Sequence, residues 1–377
     1  MIYLDNSATT RVSEAAAQKM LLAARDVWGN PSSLHDAGLA AEKLVDEARQ
    51  SILRALGIRD KNAGRLIFCA SGTEANNLAL LGCLHAKRNN RPKRIVADNS
   101  QHSSVLLPLR QLEEEGVEVV YLSTAGGKID PDELKAAINE NTMLLSIMTV
   151  NNETGARYDI ESAFAAAKRL NPNIVTHTDA VQAFMKVPFR AACADLISIS
   201  GHKVHGPKGS AALFVSAPVL KARKLSPILW GGGQEEGFRS GTESVPCIAA
   251  FGAAVQTPFD AAQAAACRQY LLDHLPEGVH ANLPAVAAPH ILSLTMPHIR
   301  SEVMLHFLSA REIYVSSGSA CSSHSHHTSS ALQSFGLTPA EADCTIRVSL
   351  SGEETLEDVA CFLSALEEGV ATLIRTQ

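Results

Sequence analysis

The chain has 377 residues and a formal net charge of −6, with 46% hydrophobic and 19% charged residues. These proportions are ordinary for a globular protein, and the length predicts two or three domains. Lysine and arginine never form a run, so we expect no direct contact with nucleic acid. Because no basic and apolar leader opens the chain and polar residues interrupt the apolar stretch 245–267, we expect no membrane span and a cytoplasmic location.

Helical and strand patterns alternate from about residue 39 to residue 250. Helical spacing of apolar residues covers 39–56 and stops at Gly57, a residue typical of helix ends. Seven short apolar runs follow, at 65–69, 94–97, 117–122, 143–150, 174–177, 195–200 and 211–215. This rhythm predicts an α/β fold with a large domain built on a mostly parallel sheet flanked by helices.

A different pattern follows residue 250 and predicts a smaller α+β C-terminal domain. An alanine-rich helical region leads to a strand at 290–296, a helix at 301–311 and a final helix from about residue 353. Between them, residues 316–330 hold eight serines and three histidines, which predicts a mobile surface loop. We expect an N-terminal segment (1–12) on the small domain (251–377) and a large domain spanning 13–250.

The eight cysteines have no CxxC spacing, so a disulfide framework or a cysteine-only zinc site is not expected. Seven of them are expected to be small buried residues. Cys321, inside the serine-rich loop, is the exception.

Polar residues follow the strands where ligands bind in open α/β sheets. After 65–69, Gly72 and Thr73 open a helix, which predicts a phosphate cradle or simply an N-cap. His102 follows 94–97, and Asn152 follows 143–150. A structural histidine and an asparagine-rich turn are the alternative interpretations.

Two further strand ends carry ionisable residues. Asp179, with Gln182, follows 174–177, and a buried carboxylate there needs a cation such as a protonated ring nitrogen. Lys203, beside His202, directly follows 195–200, where desolvation would make its amine a nucleophile. A phosphate, a ring nitrogen and a carbonyl that meets a lysine together indicate pyridoxal phosphate (PLP).

The chain resembles the NifS/IscS-type cysteine desulfurases, in the class-V aminotransferase group of fold-type I PLP enzymes. The resemblance spans essentially the whole length. It is carried by the segments Tyr3–Thr10, Gly29–Ser33, Ser71–Glu74, Val150–Glu153, Asp179–Gln182, Ser200–Lys203, Gly231–Gly233, Arg239–Thr242 and Ser317–Cys321. It implies a homodimer that converts L-cysteine to L-alanine and passes the sulfur to an acceptor protein. That acceptor would be an Fe–S scaffold or a tRNA thiolation enzyme.

The resemblance also implies catalytic roles. Lys203 would hold PLP covalently and move protons at the substrate α-carbon, with His102 stacked on the ring and assisting. Asp179 would keep the ring nitrogen protonated. Cys321 would accept the sulfur as a persulfide, which requires an exposed thiol held partly as thiolate.

Binding roles follow by the same resemblance. Asn152 and Gln182 would lie near the phenolate side of the cofactor, and Arg347 and Asn152 would bind the substrate, with Arg347 clamping its carboxylate. The phosphate would be held by Gly72, Thr73, Ser200 and His202, with Thr242 reaching across from the neighbouring subunit.

The segment from His324 to His327 departs from the family pattern. It is interpreted first as variable filler, and alternatively as histidines that assist the thiolate. Cys321, His324, His326 and His327 could also ligate a metal, but they are crowded for tetrahedral closure and no metal site is expected.

Alternative functions are a selenocysteine lyase, an aminotransferase or other class-V PLP enzyme, and a non-catalytic binding protein. Cys321 disfavours an aminotransferase, and the intact set of ionisable residues disfavours a binding protein.

Overall fold

The computed structural model describes residues 1–86, 93–296, 298–317 and 329–373. A seven-stranded sheet lies at its centre, in the order β2–β8–β7–β6–β5–β3–β4. Its strands are β2 (Gly64–Cys69), β3 (Arg94–Asp98), β4 (Glu118–Leu122), β5 (Thr142–Ser146), β6 (Val175–Asp179), β7 (Leu196–Ser200) and β8 (Ala211–Ser216). Only β8 runs antiparallel to its neighbours, so the prediction of a mostly parallel sheet is confirmed.

Thirteen α-helices occur in the described parts of the chain. They are α1 (Glu14–Arg25), α2 (Asp36–Ala55), α3 (Gly72–His85), α4 (Ser103–Glu114), α5 (Pro131–Ala137), α6 (Ile160–Leu170), α7 (Ala217–Lys221), α8 (Val245–Ala254), α9 (Ala261–Asp273), α10 (Ser301–Ser309), α11 (Ser330–Phe335), α12 (Pro339–Asp343) and α13 (Leu356–Thr372). No helix in these parts is long and apolar enough to cross a membrane.

Both faces of the central sheet are covered because strand side chains alternate in direction. In β2, Leu66 and Phe68 join a core that includes α2, α6 and α8. Their neighbours Ile67 and Cys69 join a second core on α3 and α4. The β5 strand ends four residues earlier than predicted, although the chain continues beside β6 with the Thr149 N–H donating to the Asp179 carbonyl at 3.0 Å.

A third core gathers the C-terminal elements and the start of the chain. One small sheet has three strands, in the order β12 (Thr345–Ser349), β10 (Ile291–Thr295) and β9 (His280–Ala281). Another is the parallel pair β1 (Ile2–Tyr3) and β11 (Ile313–Tyr314). Leu4 is fully buried in this core against residues of β10, α10, β12 and α13. The domain boundaries at residues 12 and 250 stay a prediction.

The expectation for the cysteines is wrong at Cys361, which is exposed on α13. Cys193 and Cys247 are half-buried, and the other described cysteines are buried. The sequence around Cys361 is apolar, but a helix buries only one stripe of its surface. An apolar neighbourhood therefore does not decide which side of the helix a cysteine occupies.

We predict that Leu4→Ala destabilises the protein by about 2–5 kcal/mol, because it removes a buried side chain that joins the N-terminal segment to the C-terminal core. The matched control is Leu107→Ala, where the same truncation occurs at a leucine that is 58% exposed. Urea unfolding measures both. Equal shifts for the two variants would contradict the importance of this packing.

Candidate active site

One cavity of about 250 Å³ lies where several strands of the central sheet end. Its lining comprises Ser7, Ala8, Ser71, Gly72, Thr73, Asn76, His102, Ser104, Met148, Val150, Asn152, Asp179, Val181, Gln182, Ser200, His202, Lys203 and Arg347. The cofactor and substrate residues predicted from the sequence are all in this set except Thr242. Residues from β2, β3, β5, β6 and β7 or the loops after them therefore meet in one place, as the parallel topology requires.

Lys203 projects from a short turn, Gly201–Lys203, that directly follows β7. Its Nζ donates to the Ser7 carbonyl at 2.5 Å and to the Ala8 carbonyl at 2.8 Å. The turn fits because Gly201 has no side chain, since a Cβ there would lie 2.5 Å from Ser210 Oγ. The amine is thus held at the cavity wall by neutral carbonyls of the N-terminal segment.

Asp179 ends β6 and is 5% exposed. Its carboxylate accepts from Asn76 Nδ2 at 2.7 Å and from the Val181 N–H at 2.9 Å. Asn76 donates also to Ser104 Oγ at 2.8 Å. These neutral donors fix the carboxylate and leave its negative charge for a cation in the cavity.

His102 caps the N-terminus of α4, and its Nδ1 accepts from the Ser104 N–H at 3.1 Å. Burial lowers its pKa and the charge of Lys203 lowers it further, while Asp179 opposes them. A neutral imidazole whose Nδ1 accepts carries its proton on Nε2. His102 can therefore donate that proton to a ligand or a reacting atom.

His202 and His177 are also held neutral near the site. Burial, followed by the charges of Lys203, Lys208 and Lys186, lowers the pKa of His202 to about 4. His177 lies wholly buried in β6 between Ser146 and Ser198, and burial lowers its pKa to about 4 against the opposing charge of Asp179.

The N-terminus of α3 is suited to bind an anion. Ser71 caps this helix by accepting from the Glu74 N–H at 3.1 Å. A Cβ on Gly72 would lie 3.2 Å from Val181 Cγ2 and 3.7 Å from Ser200 Cβ, so a side chain there would crowd the cavity. The free N–H groups and positive end of the helix dipole favour a phosphate at this position.

Five buried polar atoms of the cavity lining have no hydrogen-bond partner among the described residues. They are Ser7 Oγ, Asn76 Oδ1, Gln182 Oε1, Ser200 Oγ and Arg347 Nε. Each unsatisfied buried group costs about 1–3 kcal/mol. Together with the amine, the carboxylate and the helix start, these atoms fit a polar ligand of the size and chemistry of PLP.

Arg347 enters the cavity from β12 and is 3% exposed. Its Nη2 contacts Asp5 Oδ1 at 2.7 Å, and its Nη1 donates to the Asn152 carbonyl at 2.9 Å. Nε has no partner in the described parts of the chain. The guanidinium places a positive charge on this side of the cavity.

Thr242 does not line the cavity and is exposed. Its loop is fastened to α3 by Arg239, whose Nε donates to Glu74 Oε1 at 2.8 Å. Cys321, His324, His326 and His327 lie outside the described residues. Within the described residues no group of three or more His, Cys, Asp or Glu side chains could hold a metal ion.

Sequence reasoning gave no role to the Ser7 and Ala8 carbonyls, to Asp5, or to Asn76 and Ser104. Asn76 carried a usable signal, because it stands four residues after Gly72 and so shares its helix face. Ser7 and Ala8 act through backbone oxygens, which a side-chain pattern does not reveal.

The whole chain is similar to known proteins. The sequence profile of the family described as Aminotransferase class-V matches residues 2–362. A NifS/IcsS protein homolog of Lactobacillus delbrueckii is 36% identical, covering 98% of this chain and 97% of that protein. Cysteine desulfurase IscS of Methanosarcina thermophila is 36% identical, covering 99% of this chain and 92% of that protein.

Solved structures agree with these relatives. A NifS-like protein has a TM-score of 0.89 and 31% identity, with 99% of this chain and 100% of that chain covered. A NifS-like protein from Rickettsia africae has a TM-score of 0.86 and 28% identity, with the same coverage.

We predict that the protein loses stability as the pH falls from about 6.5 toward 4, because His177 is neutral when folded but takes a proton when unfolded. His177→Asn should flatten this loss by up to about 3 kcal/mol. Urea unfolding at about pH 7 and about pH 4.5 measures it, with exposed His280→Asn as control. A variant that keeps the full pH dependence would contradict the assignment.

Proposed function

Because the chain belongs to the class-V aminotransferase family, we propose that it is a PLP-dependent cysteine desulfurase that converts L-cysteine to L-alanine. The observation that carries this proposal is the cavity that gathers the Lys203 amine, the Asp179 carboxylate and the start of α3 in one place. Full-length relatives named cysteine desulfurase support the choice of substrate. The family uses PLP, and the fold is that of the fold-type I enzymes.

The cavity offers a partner for each part of the cofactor. The N–H groups at the start of α3, with Thr73, Ser200 and His202, would take the phosphate. Asp179 would pair with a protonated ring nitrogen, and Asn152 and Gln182 would serve the phenolate side. When bound, PLP draws electrons from the substrate α-carbon.

Proton movement at the substrate falls to Lys203 and His102. The Lys203 amine would act as the base toward the substrate α-carbon, and the Ser7 and Ala8 carbonyls hold it at the cavity wall. His102 faces the same cavity as a neutral imidazole with an Nε2 proton to donate. The pair therefore supplies a base and an acid without a charged histidine.

Arg347 would bind the substrate carboxylate, with Asn152 beside it. A planar guanidinium accepts a carboxylate in a fixed orientation, which directs the rest of the amino acid. Asp5 pairs with Arg347 at 2.7 Å, so a substrate carboxylate must share or replace that contact.

Sulfur transfer would be completed by Cys321. Its thiolate forms a bond to the substrate sulfur as the substrate C–S bond breaks, and the carbon skeleton gains a proton and leaves as L-alanine. The persulfide on Cys321 then passes its outer sulfur to an acceptor protein or a thiol reductant. We propose an Fe–S scaffold or a tRNA thiolation enzyme as the acceptor, in the cytoplasm, with relatives named IscS as support.

We also propose a homodimer. Large apolar side chains are exposed on two neighbouring loops, with Leu34 at 93%, Trp230 at 80% and Trp28 at 75%. The two loops meet at a surface cavity of about 410 Å³ lined by residues 31–32 and 233–234. Thr242 lies further along the second loop, where it could reach a neighbouring subunit's cofactor phosphate. An exposed apolar cluster of this kind marks a protein interface.

We predict that Lys203→Ala abolishes both the visible absorbance of the lysine-bound cofactor and sulfide production from L-cysteine. Cys321→Ala should keep the absorbance and lose sulfide, because it removes only the sulfur acceptor. The measurement quantifies alanine and sulfide with a reductant present, and L-selenocysteine is assayed in parallel.

Lys61→Ala and Cys361→Ala are matched controls, since both replace the same residue types at exposed positions and should leave turnover unchanged. A yellow wild-type protein that makes no sulfide, or one indifferent to Cys321→Ala, would exclude the desulfurase. Faster turnover of selenocysteine than of cysteine would favour the lyase.

We predict that Trp230→Asp dissociates the dimer, because a charge in an apolar interface is not solvated. Sedimentation equilibrium measures the molecular mass, with Leu107→Asp on the 58% exposed leucine as control. A monomeric wild type would refute the dimer, and a dimeric Trp230→Asp would refute this interface.

A further inference from the structure

On either side of the Cys321 segment, one residue contacts Arg347, which lines the cavity, and one contacts Glu153, which follows the lining residue Asn152. Ser316 pairs with Arg347 of β12, its N–H donating to the Arg347 carbonyl at 3.1 Å and its carbonyl accepting from the Arg347 N–H at 2.6 Å. Ser329, on the other side, donates from Oγ to Glu153 Oε2 at 2.5 Å. Glu153 directly follows Asn152, whose carbonyl accepts from the Arg347 side chain.

These contacts connect the two flanks through a short bridge. From Ser316 it runs through Arg347 and the Asn152–Glu153 backbone to Ser329. Each link is a hydrogen bond of 3.1 Å or less. Arg347 therefore holds the residue that precedes the Cys321 segment, and Glu153 holds the residue that follows it.

The Glu153 side chain is not needed to shape its own loop. Asn151 Oδ1 accepts from the N–H groups of Glu153 and Thr154, both at 2.9 Å, and Asn151 Nδ2 donates to the Ser100 carbonyl at 3.0 Å. Gly155 adopts a φ of +72° that suits glycine and closes the turn. The Glu153 carboxylate is thus available for a contact outside the loop.

Burying a carboxylate costs free energy unless hydrogen bonds or a cation stabilise it. Glu153 is 5% exposed, and burial raises its pKa while the Ser329 hydrogen bond and the charge of Arg347 lower it. Ser329 Oγ also caps α11, since it accepts from the Leu332 N–H at 3.1 Å. Ser334 of the same helix donates to the Asn99 carbonyl at 3.0 Å, so α11 is held by two side-chain hydrogen bonds, one to Glu153 and one to Asn99.

We propose that Glu153 is a positioning residue for sulfur transfer, which holds the start of α11 through Ser329 and so sets where the chain carrying Cys321 returns to the cavity. The proposal rests on the proposed role of Cys321 as sulfur acceptor. Loss of the contact slows the transfer of sulfur to Cys321 and spares the steps at the substrate α-carbon.

The test separates the capping of α11 from the contact with Glu153. Both Ser329→Asn and Ser329→Asp keep a good N-cap. Only the asparagine can donate to Glu153, whereas the aspartate places a second carboxylate against it. We expect Ser329→Asn to behave as the wild type and Ser329→Asp to form the Cys321 persulfide about 10- to 100-fold more slowly.

A swapped pair provides the rescue. In Glu153→Gln/Ser329→Asp the glutamine amide can donate to the new carboxylate, which restores the bond with its polarity reversed. Persulfide formation should return to within about threefold of the rate in Ser329→Asn. Mass spectrometry of the Cys321 peptide after a single turnover measures the rate.

Exchange of the L-alanine α-proton with deuterium in solvent is the second readout, because it needs Lys203 and the cofactor but no thiol. We expect Ser329→Asp to keep the wild-type exchange rate. Equal losses in exchange and in persulfide formation, no loss in either, or no rescue by the swapped pair would each overturn the proposal. A wild type that exchanges the alanine proton but forms no persulfide would refute the proposed function instead.

Discussion

The buried Arg347 guanidinium holds together parts of the chain that are far apart in sequence. Its side chain joins Asp5 of the N-terminal segment to the Asn152 carbonyl, and its backbone pairs with Ser316. A buried ion pair adds little net stability, but removing one partner costs about 3–5 kcal/mol because a charge is left unpaired. The same residue that would recognise the substrate thus also fixes the walls of the cavity. A substitution of Arg347 would therefore change both the binding of the substrate and the structure of the cavity wall.

Burial gives the cavity a simple charge pattern. Low dielectric surroundings disfavour charged imidazoles, so His102 and His202 have lowered pKa values and contribute hydrogen bonds rather than charge. Among the described lining residues, positive charge belongs to Lys203 and Arg347, and negative charge belongs to Asp179. The amine and the guanidinium suit a ligand with anionic groups, and the carboxylate suits one with a cationic ring. An amino acid joined to PLP carries charges that complement this pattern, with an anionic carboxylate and phosphate and a protonated ring.

The sequence predicted those features that depend on strand ends. Asp179, Lys203 and His102 follow apolar runs, and parallel strands end at one edge of a sheet, so their convergence could be expected from the order of residues alone. The resemblance to NifS/IscS-type desulfurases is confirmed along the full length. The Ser7 and Ala8 carbonyls could not be predicted, because a backbone oxygen has no sequence signature. The pairing of Glu153 with Ser329 joins residues 176 apart in the chain and depends wholly on tertiary packing.

A thiol that accepts sulfur must serve two partners of very different size, a small substrate in a cavity and an acceptor protein that cannot enter it. A cysteine fixed in a sheet or helix wall could serve only the first. Cys321 stands five residues beyond Ser316, and five extended residues span at most about 18 Å. The contacts of Ser316 with Arg347 and of Ser329 with Glu153 fix the two ends of the segment that contains Cys321. Under the proposed function these contacts would serve the small substrate, because Arg347 and the neighbour of Glu153, Asn152, both line the cavity.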